Sequence, residues 1–367
     1  MSVSSQRIKE LKSLSFRKIR QEVYNIRKEL NKEHNKIITY SKNFTISLSN
    51  YCRNQCSYCF YNHRVPKDHI SENIILISNS DLESLIIKAK KYNCKEALLM
   101  SGEEPEQFQI VRDYLRKRGF KSYIDFLIEI SNVLLDNRLL PHTNIGIINF
   151  EHLRALKSVN ASMGLMLEST CEKLSMQGGV HEFSPGKLPK KRIEFIENAG
   201  KLKIPFTTGL LLGIGEDEND RIKDLFLIYE IHKKYGHIQE IILQNYREKH
   251  NIQYHPLNPI SIKEILKTIG IAKLIMGNDI EIQVPPNLLN GYEKEAISMG
   301  ISDFGGISPI TIDYINPHHP WPQVEYLTKI CKKEGYELKE RLPIYEKFIK
   351  KDGFCSEKIR SIIKKIN

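Results

Sequence analysis

An alternation constrains this chain's fold more than any other feature. Eight short apolar or β-branched runs, at 45–48, 97–100, 142–145, 162–167, 206–212, 240–244, 280–284 and 302–304, are separated by longer charged stretches. Segments between them, such as 80–92, 188–202 and 220–235, carry apolar residues at helical spacing. This pattern predicts a closed parallel (β/α) barrel of the TIM type, eight-stranded, rather than two open sheets. No Pro/Gly/Ser-rich linker divides the chain. One barrel is therefore expected over 38–320, between a basic helical extension at 1–37 and a charged helical tail at 321–367. In the extension, Ile8, Leu11, Leu14, Ile19, Val23, Ile26 and Leu30 mark an amphipathic helix over 5–35. Barrels of this kind gather their chemistry at the C-terminal strand ends, so a functional motif should fall just after a strand.

The cysteines meet that test. There are seven, an odd number, and no export signal is visible, which argues against a disulfide framework. Cys94, Cys171, Cys331 and Cys355 are scattered singly and read as buried thiols. Cys52, Cys56 and Cys59 are grouped in YCRNQCSYCFYN, directly after the first predicted strand. Three thiolates at this spacing can hold one metal centre. A 4Fe–4S cluster held by three leaves one iron open to an external ligand. Zinc held with His63 as fourth ligand, and cysteines with no ligand, are the competing readings.

The Cys52-x3-Cys56-x2-Cys59 motif, with Tyr58 before its last cysteine, resembles the signature of radical S-adenosylmethionine (SAM) enzymes. The resemblance implies a barrel of that type and a 4Fe–4S cluster whose open iron is chelated by SAM. It also implies reductive cleavage of SAM to a 5'-deoxyadenosyl radical. Later segments are similar to other elements of the superfamily. In Ser101-Gly102-Glu103-Glu104-Pro105, Gly102 and Glu103 correspond to the region that holds the methionyl ammonium; an ordinary polar loop is the alternative. Glu168, at the end of the fourth strand, corresponds to the acidic residue on the ribose; a solvated strand-end carboxylate is the alternative. Gly209 and Gly213, in Gly209-x-Leu211-x-Gly213-x-x-Glu216, correspond to the glycine element beside the adenine.

The resemblance narrows over 38–320. LPHTNIG (140–146), VNASMGLMLEST (159–170), SPGK (184–187), IPFTTGLLLGIGE (204–216), YGHIQEIILQN (235–245), QVPPNL (283–288) and ISDFGGISP (301–309) are similar to one family. It is the CofG-type subunit of 7,8-didemethyl-8-hydroxy-5-deazariboflavin (FO) synthase. That likeness implies a SAM-dependent ammonia-lyase step of coenzyme F-420 biosynthesis, in which 5-amino-5-(4-hydroxybenzyl)-6-(D-ribitylimino)-5,6-dihydrouracil becomes the deazaflavin. A CofH-type companion would supply this adduct, and a ferredoxin or flavodoxin the electron. One cysteine motif fits a single-activity chain rather than a fused two-site enzyme. Polar strand-end residues expected at the mouth are His142, Asn144, Gln244, Asn245, Gln283, Asn287 and Asp303. Each is equally well read as a structural polar residue, and Asp303 as either a base or a polyol acceptor. Met163 and Met166 are expected to pack the barrel.

Charge and hydropathy bound the remaining classes. The excess of 55 Lys and Arg over 44 Asp and Glu, +11, suits nucleic acid or an anionic surface. No appended RNA-binding module is visible, and the basic residues concentrate in the extension, in KKR at 190–192 and in the tail. A solvated basic exterior is the expectation, with no nucleic acid or membrane partner. Uncharged stretches such as 204–215 are far shorter than the ~20 residues of a membrane helix, so a cytoplasmic protein is expected. The alternatives in function are a radical enzyme acting on RNA or another small molecule, and a non-enzymatic iron–sulfur or zinc protein.

Overall fold

The structure, a computed structural model, describes residues 4–29, 36–66 and 73–366. Eight parallel strands close on themselves: β1 (Ile37–Ser49), β2 (Glu96–Ser101), β3 (Leu140–Asn144), β4 (Ser162–Gly164), β5 (Phe206–Leu212), β6 (Ile238–Asn245), β7 (Glu281–Gln283) and β8 (Asp303–Ile307). Each pairs with its sequence neighbour, and β8 returns to β1. All eight predicted runs fall on strands. The run at 162–167 gives the short β4, because the chain leaves the sheet before Glu168.

Helices cover the outside, and their first turns explain where they begin. Ser78 accepts from Asp81 N, while Asp217 and Ser261 form capping boxes with Asp220 and Glu264. These side chains satisfy backbone donors that the helix leaves unpaired. Among the described residues, no helix is long and apolar enough to cross a membrane.

Two flanking segments differ from expectation. The extension forms two helices, Ser5–Ser13 and Phe16–Lys28, because Ser15 caps the second and breaks the continuous pattern. Leu30 and the rest of the expected helix to residue 35 lie outside the described residues. Ile19 and Val23 are buried, and the second helix packs on Ile262–Met276. Gly270 makes this close contact possible, since a Cβ there would lie 2.3 Å from Ile19 Cγ2. Ile19→Ala should therefore cost about 2–4 kcal/mol, read as a lower urea midpoint with an unchanged slope.

The tail is not wholly helical. Glu337–Arg341 forms a ninth strand, β9, parallel to Ile37–Ser41 of β1. Its sequence, ELKER, has little strand propensity, so the pairing offered by the long β1 decides its conformation. β2 pairs with β1 from Asn43 onward, so β9 lies below β2 along the same side of β1.

The lumen also departs from the usual barrel, whose interior is packed with branched apolar side chains. In β1, Ile38, Phe44, Ile46 and Leu48 are buried in the apolar core, while Asn43 and Thr45 line a cavity inside the barrel. The period-2 alternation thus turns a polar face inward.

Candidate active site

The cysteine motif occupies the loop after β1, at the C-terminal mouth. Neighbouring loops hold it by backbone bonds: Arg53 N donates to Glu103 O (3.0 Å), Gln55 N to Phe183 O (3.1 Å) and Ser57 N to Val180 O (3.0 Å). Gly102 fits because a Cβ there would lie 2.2 Å from Tyr51 O and 2.7 Å from Cys52 Cβ. Cys52, Cys56 and Cys59 all line one cavity of about 250 Å³. Glu103 N donates to Cys52 Sγ (3.2 Å) and Ser184 Oγ to Cys56 Sγ (3.3 Å). Burial pushes the Cys52 thiol up to about 11 and the Cys56 thiol up to about 12.

Among the described residues, no three His, Cys, Asp or Glu side chains converge as a single metal ion would require. His63, the fourth ligand in the zinc reading, stacks on Tyr51 at 4.3 Å and lies edge-on to Phe108. Three thiols around one chamber, two of them receiving hydrogen bonds at sulfur, instead fit a multi-iron cluster, whose properties such bonds tune.

Glu103, expected to help hold the methionyl ammonium, lines the same cavity. Its Oε1 takes Arg53 at 2.8 Å, and its Oε2 accepts from Ile147 N at 3.0 Å. Gly146 and Gly186 leave space for this carboxylate, which a Cβ at either position would strike. Glu103 therefore braces the cysteine loop from the side of the cavity.

Glu168 is the electrostatic centre of the opposite wall. Its backbone has φ +67°, and the residue is 7% exposed. Tyr58 and Lys187 bond to it, with His181 Nε2 at 3.1 Å and Arg192 Nη2 at 3.6 Å. Burial alone would raise its pKa, but Lys187 and Arg192 outweigh that and hold it well below the ordinary carboxylate value. It is therefore not a solvated strand-end residue. Arg192 corrects a second expectation: far from decorating the exterior, it is 3% exposed and donates to Met166 O (2.7 Å) and Gly186 O (3.1 Å). Its spacing from the buried Phe195, Ile196 and Ala199 puts it on their helix face.

The other candidates divide by position. His142, Asn144, Gln244 and Gln283 line the lumen, and so does Met166, expected only to pack. Met163 is in the apolar core, as expected. Asn245 instead lines a separate groove beside Gly213. Asn287 braces the loop after β8, donating to Asp313 Oδ2 and His319 O at 3.0 Å. Gly209 is needed where β5 meets β6, since a Cβ would lie 2.1 Å from Ile242 O. Gly213 sits in a turn at φ +91°, its N–H donating to Glu216 Oε1 at 2.8 Å.

Asp303 is the clearest correction. As the first residue of β8, it lies at the floor rather than the mouth. Arg341 of β9 grips both its oxygens, with Nη2–Oδ1 at 2.9 Å, and reaches Glu240 Oε2 at 2.7 Å. Tyr345 OH lies between these two carboxylates, 2.9 Å from Asp303 Oδ2 and 2.8 Å from Glu240 Oε2. An aspartate held this way, with no exposed surface, is a structural anchor rather than a free base. Sequence reading had no signal for Arg341, since its partners are remote in the chain.

A closed parallel barrel with a three-cysteine loop after its first strand defines the class, a radical SAM protein. Residues 46–228 match the radical SAM superfamily model. The chain is 46% identical over 329 residues to 7,8-didemethyl-8-hydroxy-5-deazariboflavin synthase of Methanococcus vannielii, covering 89% of this chain and 91% of that protein. The protein of the same name from Methanocaldococcus jannaschii is 45% identical over 323 residues, covering 88% and 87%. This chain belongs to the 7,8-didemethyl-8-hydroxy-5-deazariboflavin synthase family. Among solved structures, the FeFe-hydrogenase maturase HydG superposes with a TM-score of 0.73 over 100% of this chain and 77% of its own. At 16% identity, that likeness concerns the fold.

Proposed function

We propose that this chain converts 5-amino-5-(4-hydroxybenzyl)-6-(D-ribitylimino)-5,6-dihydrouracil to 7,8-didemethyl-8-hydroxy-5-deazariboflavin, releasing ammonia, 5'-deoxyadenosine and methionine. Near-full-length similarity to synthases of that name carries the reading. Cys52, Cys56 and Cys59 are the residues that would hold a 4Fe–4S cluster, and the same chamber would take SAM. Bound there, the pair would supply radical hydrogen-atom abstraction chemistry.

The chain's own residues do the positioning. Arg53, Glu103 and the 180–187 loop fix the cysteine loop. Glu168, kept ionised by Lys187 and Arg192, offers a fixed acceptor for hydroxyl groups such as those of ribose. Tyr58, Leu211 and Tyr246 line the chamber with apolar surface, which limits water around a reactive species. A CofH-type companion would supply the adduct, and a ferredoxin- or flavodoxin-like protein the electron.

The test compares substrates in the reduced, reconstituted enzyme. 5'-Deoxyadenosine should form at least tenfold faster with the tyrosine–uracil adduct than with free tyrosine or bulk tRNA. Stimulation by tRNA instead would transfer the chain to the RNA-acting alternative.

A further inference from the structure

A basic stretch of surface adjoins the cysteine loop from outside. Between positions 112 and 121 stand five cations, Arg112, Arg116, Lys117, Arg118 and Lys121, against one acid, Asp113. Most of this stretch is the helix Gln109–Lys117, part of the connection after β2. Both ends of that helix are tied to the mouth of the barrel. Phe108, which precedes it, packs edge-on against Tyr51 at 5.3 Å and His63 at 4.9 Å. Arg118, just past its end, donates to Ile77 O at 2.7 Å, ahead of the helix Asn79–Lys91 that follows the cysteine loop. Exposed Arg64 completes the join: it donates to Cys52 O at 3.1 Å, and its guanidinium lies 5.6 Å from the Phe108 ring centre. Surface charge therefore touches the backbone of a cysteine that would hold the cluster.

The outer face of the helix is apolar as well as basic. Ile110 is 40% exposed and Tyr114 41%, four residues apart on one stripe. Lys117 continues the stripe, with its ammonium 5.7 Å from the Tyr114 ring centre. Val111 and Leu115 bury the opposite face. Acids nearby are already engaged: Asp113 with Arg116 at 2.7 Å, Glu104 with Arg53 at 2.7 Å, and Glu106 as acceptor from Tyr123 N. Among the described residues, Arg112 and Arg118 bond to carbonyl and amide oxygens rather than carboxylates, so their charge stays uncompensated. Exposed aromatic and aliphatic groups framed by arginine and lysine are what a protein partner with an acidic rim would meet.

The place of this surface narrows the partner further. A cluster held by Cys52, Cys56 and Cys59 has to receive an electron from outside the chain. Electron transfer falls steeply with distance, so a carrier must dock where the cysteine loop reaches the surface. Such encounters are brief and small, and a patch of this size suffices for them.

We propose that Arg64 and the helix Gln109–Lys117 form the docking surface for an acidic one-electron carrier protein. The carrier is oxidised by one electron and the cluster reduced by one, with no bond made or broken between the two proteins. The assignment deepens the radical-enzyme reading and rests on it for the cluster.

The experiment uses the reconstituted holoenzyme with an acidic flavodoxin as the probe. In Arg116→Glu/Lys117→Glu, the flavodoxin's dissociation constant, read by calorimetry, should rise at least about tenfold, and its KM in 5'-deoxyadenosine formation should rise with it. With dithionite as reductant, the same variant should match the wild type within about twofold, as an intact cluster and fold require. Lys364→Glu/Lys365→Glu makes the same change of charge on the exposed tail helix and should leave flavodoxin binding unchanged. Unchanged binding in the first variant would overturn the proposal. Equal weakening by the tail variant would overturn it too, by showing a response to net charge alone. So would a surface at which Arg116→Glu/Lys117→Glu weakens tRNA binding but not flavodoxin binding. Should that variant lose its cluster, Tyr114→Ser, which keeps every charge, decides by the same calorimetry: weaker binding supports the surface and unchanged binding rejects it. A wild type that is inactive on the adduct with dithionite would sink the synthase reading, while the binding comparison still judges the docking surface.

Discussion

Cys56→Ala is expected to yield a colourless protein that, after anaerobic reconstitution, lacks the brown absorbance of a 4Fe–4S cluster and forms no detectable 5'-deoxyadenosine. The expected loss is at least ~10³-fold, because the chemistry belongs to the cofactor rather than to any side chain that could substitute for it. Cys56 is buried against Ser184, with Tyr58, Glu168 and Lys187 around the same chamber, and no other described cysteine lines that chamber besides Cys52 and Cys59. Cys52→Ala and Cys59→Ala should behave alike. Cys94 provides the control: it is buried in the apolar core, its Sγ 3.6 Å from Asn43 O, and Cys94→Ala should keep both absorbance and activity. Iron content, the visible spectrum and product formation measure the three consequences separately. Cluster retention in Cys56→Ala would mean that Cys56 is not a ligand.

Arg341→Met should destabilise the barrel by about 3–5 kcal/mol, because it leaves two buried carboxylates without their cation. Asp303 has no exposed surface, Glu240 only 5% and Arg341 9%, so solvent cannot take over the pairing. A melting temperature roughly 5–10 °C lower is the expected readout. By contrast, Lys350→Ala breaks a pair with Glu346 in which both side chains are 74% exposed, and should change stability by less than ~0.5 kcal/mol.

The Arg341→Met deficit should also depend on pH. Burial lifts Glu240 from 4.5 to about 7 even with Arg341 opposing the shift. A carboxyl raised on folding stabilises fully below its unfolded pKa, and that contribution is lost as pH rises through the folded value. Removing Arg341 raises Glu240 further. The variant should therefore lie closer to wild type at pH 5, where Glu240 is protonated, than at pH 8. A constant deficit across that range would mean that Glu240 does not carry it.

Local signals in the sequence were read correctly where they were strong. The eight β-prone runs and the helices between them follow from short-range periodicity, and each run falls on a strand. The position of Cys52, Cys56 and Cys59 at the mouth follows from their place after β1. Two signals were present and unread. β1 continues back to Ile37, alternating Ser41, Asn43, Thr45 and Ser47 with Phe44, Ile46 and Leu48, which marks a polar lumen. Arg192 shares a helical face with Phe195, Ile196 and Ala199, which marks an inward arginine where charge counting suggested an outward one. The floor was not legible. Arg341, Glu240 and Asp303 come from three distant segments, and only closure of the sheet with β9 brings them together. For the same reason Asp303, close to a Gly-Gly pair in sequence, looked like a mouth residue although it begins its strand.

The central claim is the reaction itself, and product formation tests it most directly. The reconstituted, reduced enzyme is incubated anaerobically with SAM and the tyrosine–uracil adduct, and deazaflavin fluorescence, ammonia and 5'-deoxyadenosine are quantified together. The account predicts all three, with deazaflavin and ammonia formed in equal amounts and none of the fluorescent product from the Cys56→Ala protein. Formation of 5'-deoxyadenosine with no deazaflavin, by an enzyme carrying a full cluster, would contradict it.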